Sequence, residues 1–353
     1  MILVTGGAGF IGTNLVRAAV ARGEEVLVVD RLGYAAQEAN LEDGGARVRL
    51  VALDLAAPGD ALDRLLAEAR PRAVVHCAAE THVDRSIAGP EAFVASNLVG
   101  TFRLLEAVRA YWTGLPEEEG RAFRLLHVST DEVYGSRAPE DPPNREGDPY
   151  EPTSPYAATK SGSDHLARAW QRTYGLPVLV TNCTNNYGPY QYPEKFLPLV
   201  IHQALRGRPL PVYGDGRQVR DWLYVDDHVR ALLRVLEAGT VGATYHVSAG
   251  LGPTNLEVLE RLCAILDRLR PRPEGPTRAL VRHVTDRPAH DRRYALDSTR
   301  LRRELGWRPE ESLESGLEKT VRWYLAHEDW WRRAAGEDFR RWLAARYEPE
   351  VAR

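Results

Sequence analysis

Short apolar runs, rich in β-branched residues, alternate with longer segments of helical periodicity through the first half of the chain. The pattern predicts strands at 2–5, 25–30, 48–52, 73–77, 125–129 and 178–182, with helices at 10–22, 61–68, 92–112 and 156–174. Fully apolar strands joined by helices are typical of a parallel sheet covered on both faces. We therefore expect an α/β fold built on a doubly wound parallel sheet of the Rossmann type.

The second half of the chain has a different character. Prolines and aromatic residues become frequent from Pro189 onward, and helical patterns recur at 256–269 and 313–326. We expect a smaller mixed α/β domain for substrate binding at 183–353, after a dinucleotide-binding domain at 1–182 to which the chain returns around 221–248. The arginine-rich stretch 329–346 is predicted to be an amphipathic terminal helix that docks by its tryptophan face.

Composition and charge exclude several classes of protein. Of 353 residues, 44% are hydrophobic and 27% charged, which is ordinary for a globular protein. A net charge of -3 gives no electrostatic basis for nucleic-acid binding, and no run of about 18 apolar residues could span a membrane. Three scattered cysteines without a CxxC pair indicate a reducing, cytoplasmic setting. No clustered Cys/His spacing predicts a metal site.

A glycine-rich turn follows the first predicted strand and opens the first helix. In its GxxGxxG spacing, Gly6 permits the tight turn, Gly9 lets a pyrophosphate approach the backbone, and Gly12 lets the helix pack on the strand. Asp30 ends the second strand about 20 residues further on, where a carboxylate accepts the ribose hydroxyls of a dinucleotide. Asp30 would also repel a 2′-phosphate, so we expect NAD rather than NADP; the neighbouring Arg31 weakens this preference without reversing it.

Two later strand ends carry further candidate cofactor contacts. Asp54 and Leu55 follow the third strand and could meet the adenine, although an ordinary loop carboxylate explains Asp54 nearly as well. Ala78 and Ala79 follow the fourth strand and are small where a diphosphate or ribose must pass closely.

Tyr156 and Lys160 form a YxxxK pair, so both side chains lie on one face of the predicted helix. A tyrosine with a pKa near ~10 is a poor base at neutral pH unless a neighbouring cation stabilises its anion. Lys160 would do this and also hold the nicotinamide ribose. The chain has only three lysines, so a functional role explains the presence of Lys160 better than coding bias does. The pair indicates hydride chemistry at an alcohol carbon.

Thr130, Asp131 and Glu132 stand at the end of the fifth strand, where such folds place their ligands. Thr130 can hydrogen-bond the same substrate oxygen as Tyr156. Two adjacent carboxylates repel, so one should retain a proton, which is what an acid–base pair requires. Neighbouring strand residues point to opposite faces, so the chain must leave strand geometry near Thr130 if both carboxylates face a substrate. A helix cap or a solvated loop charge is the alternative for one of them.

These motifs resemble the extended short-chain dehydrogenase/reductase family and, within it, the dTDP-glucose 4,6-dehydratases. The matching stretches run nearly end to end: ILVTGGAGFIG (2–12), AAETHVDRSI (78–87), STDEVYG (129–135), SPYAATKSGSDHL (154–166), TNCTNNYGPYQYPEKFLP (181–198), DWLYVDDH (221–228) and DRPAHDRRYALD (286–297). The first and fourth occur in many members, whereas STDEVYG with TNCTNNYGPYQ is far more selective.

The resemblance implies a hydro-lyase that converts dTDP-glucose to dTDP-4-keto-6-deoxyglucose. Tyr156, with Lys160 and Thr130, would take the O4 proton while hydride leaves C4 for NAD. Glu132 would then remove the C5 proton and Asp131 protonate O6, so that water departs before hydride returns to C6. The NAD would remain tightly bound and be regenerated in each turnover.

The resemblance also implies ligand contacts and a homodimer. The NAD site would be lined by Phe10, Ile11, Asp30, Tyr34, Asp54, Leu55, Ser96 and Asn186, and the nucleotide-sugar site by Thr81, Asn185, Lys195, Phe196, Pro211, Val212, Tyr213, Arg220, Asn255, Arg287 and His290. Members usually dimerise through two helices, here 92–112 and 156–174. Two alternatives remain open: another extended-family enzyme, such as a 4-epimerase or a decarboxylase, and a catalytically silent NAD-binding scaffold protein.

Overall fold

The computed structural model describes residues 1–351, with side chains described through Tyr347. The described residues form these strands: β1 (Ile2–Thr5), β2 (Val26–Asp30), β3 (Val48–Ala52), β4 (Ala73–His76), β5 (Arg124–Thr130), β6 (Val178–Cys183), β7 (Asn185–Tyr187), β8 (Leu210–Tyr213), β9 (Trp222–Tyr224), β10 (Thr244–Val247) and β11 (Val281–Val284).

The α-helices are α1 (Phe10–Ala21), α2 (Ala61–Ala69), α3 (Val83–Ala88), α4 (Glu91–Phe93), α5 (Gly100–Thr113), α6 (Glu117–Ala122), α7 (Pro155–Tyr174), α8 (Phe196–Ala204), α9 (Val225–Ala238), α10 (Asn255–Leu269), α11 (Thr299–Leu305), α12 (Leu313–Ala326), α13 (Glu328–Ala334) and α14 (Glu337–Val351). Shorter 3₁₀ segments are Glu38–Arg47, Asp131–Tyr134 and Thr277–Leu280. None of the described helices is long and apolar enough to cross a membrane.

The predicted doubly wound sheet is confirmed. Seven strands lie in the order β10-β6-β5-β4-β1-β2-β3, and all are parallel. One face packs against α1, α9 and α11, and the other against α2, α5 and α7. The strand β10 pairs with β6, and Leu301 and Leu305 of α11 join the same core. The part of the chain after residue 183 thus returns to the large sheet with β10 and to its helix layer with α11. The domain boundary itself stays a prediction.

The predicted helix 92–112 is present, but it contains a π-helical turn that the sequence pattern does not indicate. The structure has α4, then a π-helical turn at Val94–Val99, then α5. Asn97 in this turn accepts from the Glu80 amide at 2.8 Å and donates to the Glu80 carbonyl at 3.0 Å and to Thr159 at 3.0 Å. A wider turn at this point ties the helix to the loop after β4, and such turns are frequent at functional sites.

The second unit packs two small parallel sheets, β7–β9 and β8–β11, against α8, α10 and α12. The predicted terminal helix 329–346 is divided into two helices, α13 and α14. Ala335 and Gly336 lie between them, and glycine is a poor helix former. Its predicted docking by tryptophan is confirmed, since Trp330 and Trp331 are buried and Trp330 Nε1 donates to Asn40 at 2.6 Å.

Candidate active site

A first cavity lies at the carboxyl ends of β1, β2 and β4, beside the amino terminus of α1. Of the residues predicted to bind a dinucleotide, it is lined by Gly6, Gly9, Phe10, Ile11, Gly12, Asp30, Arg31, Tyr34, Asp54, Leu55, Ala78, Ala79 and Ser96. Tyr156, Lys160 and Asn186 are not among its lining residues, and Asn186 instead donates to the Thr184 carbonyl at 2.9 Å. The sequence reasoning missed Glu80, Gln191, Tyr192 and Glu194, which also line it.

The glycine-rich turn is closed by backbone contacts that leave little room for side chains. Gly6 has a φ of +70°, and a Cβ there would lie 2.7 Å from the Ala78 amide nitrogen. A Cβ at Gly12 would lie 2.0 Å from the Gly6 carbonyl oxygen. Gly9 is the N-cap of α1 and has no side-chain cap. The free amides of this helix end therefore face the cavity, as an anion-binding site requires.

Asp30 is held in place by two backbone amides. Its Oδ2 accepts from Ala8 at 3.0 Å and its Oδ1 from Leu32 at 2.8 Å. Burial raises the pKa of Asp30, and the two amide hydrogen bonds oppose this rise. From the sequence, Arg31 is expected to weaken the preference for NAD over NADP. In the structure, Arg31 forms an ion pair with Glu80. That pairing commits the Arg31 guanidinium to a carboxylate, which lessens its pull on a phosphate.

The chain leaves strand geometry at Thr130, as the sequence requires if both carboxylates face one ligand. β5 ends there and a 3₁₀ turn begins at Asp131. The Thr130 hydroxyl accepts from the Glu132 amide at 3.2 Å and lies 3.2 Å from Asp131 Oδ1. A single threonine therefore ends the strand, caps the turn and contacts one of the two carboxylates.

The two carboxyl groups have unequal surroundings. Burial, followed by the nearby Glu132, raises the pKa of Asp131 well above its ordinary value. Burial also raises the pKa of Glu132, but Arg287, Arg220 and Lys195 oppose that rise. Asp131 is thus favoured as the protonated acid, and Glu132 faces the cations that stabilise a carboxylate.

Tyr156 and Lys160 lie in the first turns of α7, whose N-cap Ser154 accepts from the Ala157 amide at 3.1 Å. Burial and then Glu132 raise the pKa of Tyr156, while a hydrogen bond from Thr130 lowers it. Lys160 Nζ donates to the Val128 carbonyl at 2.9 Å, and Val128 lines the first cavity. The tyrosine therefore contacts the strand end that carries the carboxylates, and the lysine reaches the wall of the first cavity.

A second cavity adjoins the first, with Thr81, Glu194 and Lys195 lining both. It brings together eleven of the twelve residues predicted to contact a nucleotide sugar: Thr81, Asn185, Lys195, Phe196, Pro211, Val212, Tyr213, Arg220, Asn255, Arg287 and His290. Thr130, the twelfth, does not line it, but Glu132 does. Their roles as ligand contacts stay predictions.

Several residues of the second cavity were missed by sequence reasoning. Asp84 accepts from Tyr213 at 2.7 Å and pairs with Arg287 at 3.5 Å; its place in the ETHVDRSI stretch could have indicated it. Tyr294 stacks on Arg220, whose guanidinium carbon lies 4.2 Å from the ring centre. Tyr347 comes from α14 and hydrogen-bonds Tyr213 at 3.0 Å, and no sequence motif marks it.

Buried polar atoms of this region lack partners among the described residues. They include Asp131 Oδ2, Asn185 Oδ1 and Arg287 Nε. Because buried polar groups are nearly always hydrogen-bonded, these atoms are suited to contact a polar ligand. Among the described residues, no group of three or more His, Cys, Asp and Glu side chains could hold a metal ion.

Comparison with known proteins decides the family. The family model for GDP-mannose 4,6 dehydratase matches residues 3–320. The chain belongs to this family. Among relatives, the dTDP-glucose 4,6-dehydratase of Neisseria meningitidis serogroup B is 51% identical over 345 residues, covering 96% of this chain and 97% of that protein. That of Xanthomonas campestris pv. campestris is 54% identical over 331 residues, covering 93% and 94%.

Solved structures of family members agree with the fold. A crystal structure of DesIV, a dTDP-glucose 4,6-dehydratase from Streptomyces venezuelae with NAD bound, matches with a TM-score of 0.85 and 46% identity, covering 94% of this chain and 99% of that one. A UDP-glucose 4-epimerase from Thermotoga maritima matches with a TM-score of 0.80 and 30% identity, covering 92% and 98%. The resemblance drawn from the sequence motifs is confirmed, and the dehydratases are the more similar group.

Proposed function

We propose that the chain is a dTDP-glucose 4,6-dehydratase, a hydro-lyase that forms dTDP-4-keto-6-deoxyglucose. The observation that carries this proposal is the pair Asp131 and Glu132 at the end of β5, two carboxyl groups with unequal surroundings: Asp131 is buried, and Glu132 lines the second cavity. Water loss across C5 and C6 needs one base and one acid. A 4-epimerase removes no water and needs no acid–base pair at C5 and C6. A catalytically silent scaffold protein needs no such pair beside a buried tyrosine.

The first cavity fits NAD by its chemistry. The turn at Gly6–Gly12 leaves space and free amides for a pyrophosphate, and Asp30 presents a carboxylate at the end of β2 for ribose hydroxyls. Small residues Ala78 and Ala79 line the opposite side. When bound, NAD supplies an acceptor for the C4 hydride of the sugar and returns that hydride after water has left. DesIV, similar over 94% of this chain, was crystallised with NAD.

The chain's own residues carry the proton transfers. Tyr156 accepts the O4 proton as its phenolate. Because burial raises the pKa of Tyr156, this anion depends on the Lys160 ammonium one turn further along α7. Glu132 removes the proton from C5, which the ketone at C4 makes acidic. Asp131, whose pKa is raised by burial, gives its proton to O6 so that the oxygen leaves as water. When the hydride has returned to C6, Glu132 gives its proton back to C5. Each such general acid–base step is worth about 10²–10⁴-fold in rate.

The second cavity would hold the nucleotide diphosphate. Arg220, Arg287 and Lys195 line it, and charged donors of this kind suit a diphosphate. Arg220 is fixed by its bonds to the Val219 and Asp291 carbonyls, both 2.8 Å. A diphosphate held by this fixed guanidinium would place the attached sugar in the same cavity as Glu132.

Product analysis tests the function directly. The purified chain is incubated with dTDP-glucose, and mass spectrometry follows the loss of one water while the near-ultraviolet absorbance records reduced cofactor. We expect complete dehydration with no net accumulation of reduced cofactor. Conversion of UDP-glucose to UDP-galactose instead, or no turnover of any glucose nucleotide, would reject the proposal in favour of an epimerase or a scaffold protein.

Replacing Asp30 by serine should move cofactor preference toward NADP. The change removes the charge that repels a 2′-phosphate, and we expect the ratio of NAD to NADP affinity to fall at least about tenfold, or ~1.4 kcal/mol. Titration calorimetry with both cofactors measures it. D54S is the matched control, since Asp54 also lines the first cavity but follows β3. An unchanged ratio in D30S would contradict the role of Asp30.

We further propose a homodimer that forms through the predicted helices 92–112 (the π-helical turn and α5) and 156–174 (α7), in a cytoplasmic setting. Apolar side chains are exposed along this face, with Val94 45% and Phe102 44% accessible, and Tyr174 47% accessible at the end of α7. Exposed apolar patches of this kind mark interaction surfaces.

The three cysteines are all free, as a reducing compartment favours. The domain limits 1–182 and 183–353, with a return at 221–248, belong to the same proposal.

A glutamate in place of Phe102 should break the dimer. The charge would be buried without a partner at the proposed interface, which is strongly unfavourable. Light scattering should give about twice the chain mass for the unmodified protein and one chain mass for F102E. L251E is the control, since Leu251 is 41% exposed but lies on neither helix. If F102E remains dimeric, the interface lies elsewhere.

A further inference from the structure

The strand β6 ends in polar side chains although the sheet is covered on both faces. Asn182 of this strand is 0% exposed and pairs in register with Ser129 of β5. Its Nδ2 donates to the Thr130 carbonyl at 3.1 Å and to Asp164 Oδ2 at 3.1 Å. Asn182 lines neither of the two cavities.

An asparagine at such a position is costly. Parallel strands covered on both faces are normally apolar, and a polar group taken out of water is unfavourable unless its hydrogen bonds are made. The Oδ1 atom of Asn182 has no hydrogen-bond partner among the described residues. The bonds donated by its nitrogen are therefore what offsets the cost of this side chain.

The carboxylate of Asp164 fixes which way the amide of Asn182 faces. Asp164 Oδ2 also accepts from Tyr150 at 2.8 Å, and Oδ1 lies 3.1 Å from His127 Nε2. Burial opposes the charge of Asp164, but the hydrogen bond from His127 is foremost among the influences that outweigh it, and its pKa lies at about 2. An ionised carboxylate only accepts hydrogen bonds, as does a backbone carbonyl. The nitrogen of Asn182, with its two hydrogens, therefore faces both acceptors.

The Thr130 carbonyl belongs to the peptide bond that leads into Asp131. Because a peptide bond is planar, a hydrogen bond to its oxygen fixes the orientation of the whole plane. The backbone just beyond is held as well, since the Glu132 amide donates to the Thr130 hydroxyl at 3.2 Å. Together these two bonds define the direction in which the 3₁₀ turn Asp131–Tyr134 leaves β5.

We propose that Asn182 is a positioning residue: its amide, anchored on Asp164, holds the Thr130 carbonyl and so sets the direction of the turn that carries the acid and the base. The inference rests on the proposed function, because that function assigns both carboxyl groups of the turn to water loss. Asn182 acts through the backbone and reaches neither cavity.

Replacement of Asn182 by leucine keeps the approximate size of the side chain and removes both donated hydrogen bonds. A misplacement of about 1 Å can cost about 10²-fold in rate, so we expect N182L to lower the kcat of dehydration by about 10–10²-fold. The KM for dTDP-glucose should stay unchanged because Asn182 lines neither cavity.

The two stages of the reaction should respond differently in N182L. Tyr156, which takes the O4 proton, lies on α7, and Thr130 itself stays paired with Cys183 of β6. Oxidation at C4 should therefore continue while water loss slows, so that reduced cofactor accumulates when dTDP-glucose is added to the holoenzyme. Near-ultraviolet absorbance records this accumulation. A mere loss of folded protein would lower both stages equally and leave no reduced cofactor.

The residue before Asn182 provides the matched control. Thr181 is also 0% exposed, and its Oγ1 has no hydrogen-bond partner in the part of the chain that the structure describes. T181V makes the same exchange of a polar for an apolar group on β6 and should leave kcat and the absorbance unchanged. N182S provides the test if leucine prevents folding. Its hydroxyl lies one bond closer to the backbone and does not span both acceptors, so we expect the same changes as in N182L.

Crystal structures of the unmodified and N182L holoenzymes test the geometry without turnover. We expect the contact from Asn182 Nδ2 to the Thr130 carbonyl in the first and a rotated Thr130–Asp131 peptide in the second. The same peptide orientation in both, an unchanged kcat, or a fall in kcat without reduced cofactor would overturn the inference. An unmodified chain that dehydrates no glucose nucleotide would reject the proposed function, and the two crystal structures would still decide the role of Asn182.

Discussion

Replacement of Glu132 by glutamine should stop water loss from dTDP-glucose while oxidation at C4 continues. The change keeps the size of the side chain and removes the group that accepts the C5 proton. Glu132 lines the second cavity, where it faces Arg287, Arg220 and Lys195. We expect the rate of dehydration to fall by about 10²–10⁴-fold, the usual value of a general base.

Deuterium exchange separates the two carboxyl groups. In heavy water, E132Q should reduce bound cofactor with dTDP-glucose but incorporate no deuterium at C5. D131N is the matched comparison: it retains Glu132, so exchange at C5 should continue while elimination of O6 stops. Full dehydration by E132Q would remove the basis of the proposed function, and exchange at C5 in E132Q would assign the base to another residue.

The sequence predicts the sheet and the strand ends well because both follow from local patterns. Apolar runs mark buried parallel strands, and the adjacency of Thr130, Asp131 and Glu132 requires a departure from strand geometry that the 3₁₀ turn at Asp131–Tyr134 supplies. The π-helical turn at Val94–Val99 carries no such signal, since it depends on Asn97 reaching the loop after β4.

Most features of the site that could not be predicted from the sequence depend on contacts between distant segments of the chain. Tyr347 reaches the second cavity only because α13 and α14 fold back over the second unit. Arg31 hydrogen-bonds Glu80, which follows it by 49 residues in the sequence. Sequence spacing alone does not indicate this contact. Asp164 stands in the quoted stretch 154–166, but its partners come from β5, β6 and the loop before α7, so its environment appears only in three dimensions.

Alanine at Gly12 should cost the chain both stability and cofactor binding. The new Cβ would lie 2.0 Å from the Gly6 carbonyl oxygen and 2.7 Å from Gly7 Cα, and neither backbone atom can rotate away. α1 must then move off the turn that joins it to β1. Overpacking of this kind costs about 3 kcal/mol at its usual upper range, and we expect the free energy of unfolding to fall by about that amount.

Gly9→Ala provides the matched control within the same turn. A Cβ at Gly9 meets only the Gly6 carbonyl oxygen, at 3.4 Å, and lines the first cavity. We expect G9A to change the free energy of unfolding by less than about 1 kcal/mol and still weaken NAD binding, because the methyl group occupies the path proposed for the pyrophosphate. Denaturant unfolding and calorimetric NAD titration of cofactor-stripped chains measure both effects. Equal stability of G12A and the unmodified chain would contradict the packing argument, and unchanged NAD affinity in G9A would place the pyrophosphate away from this turn.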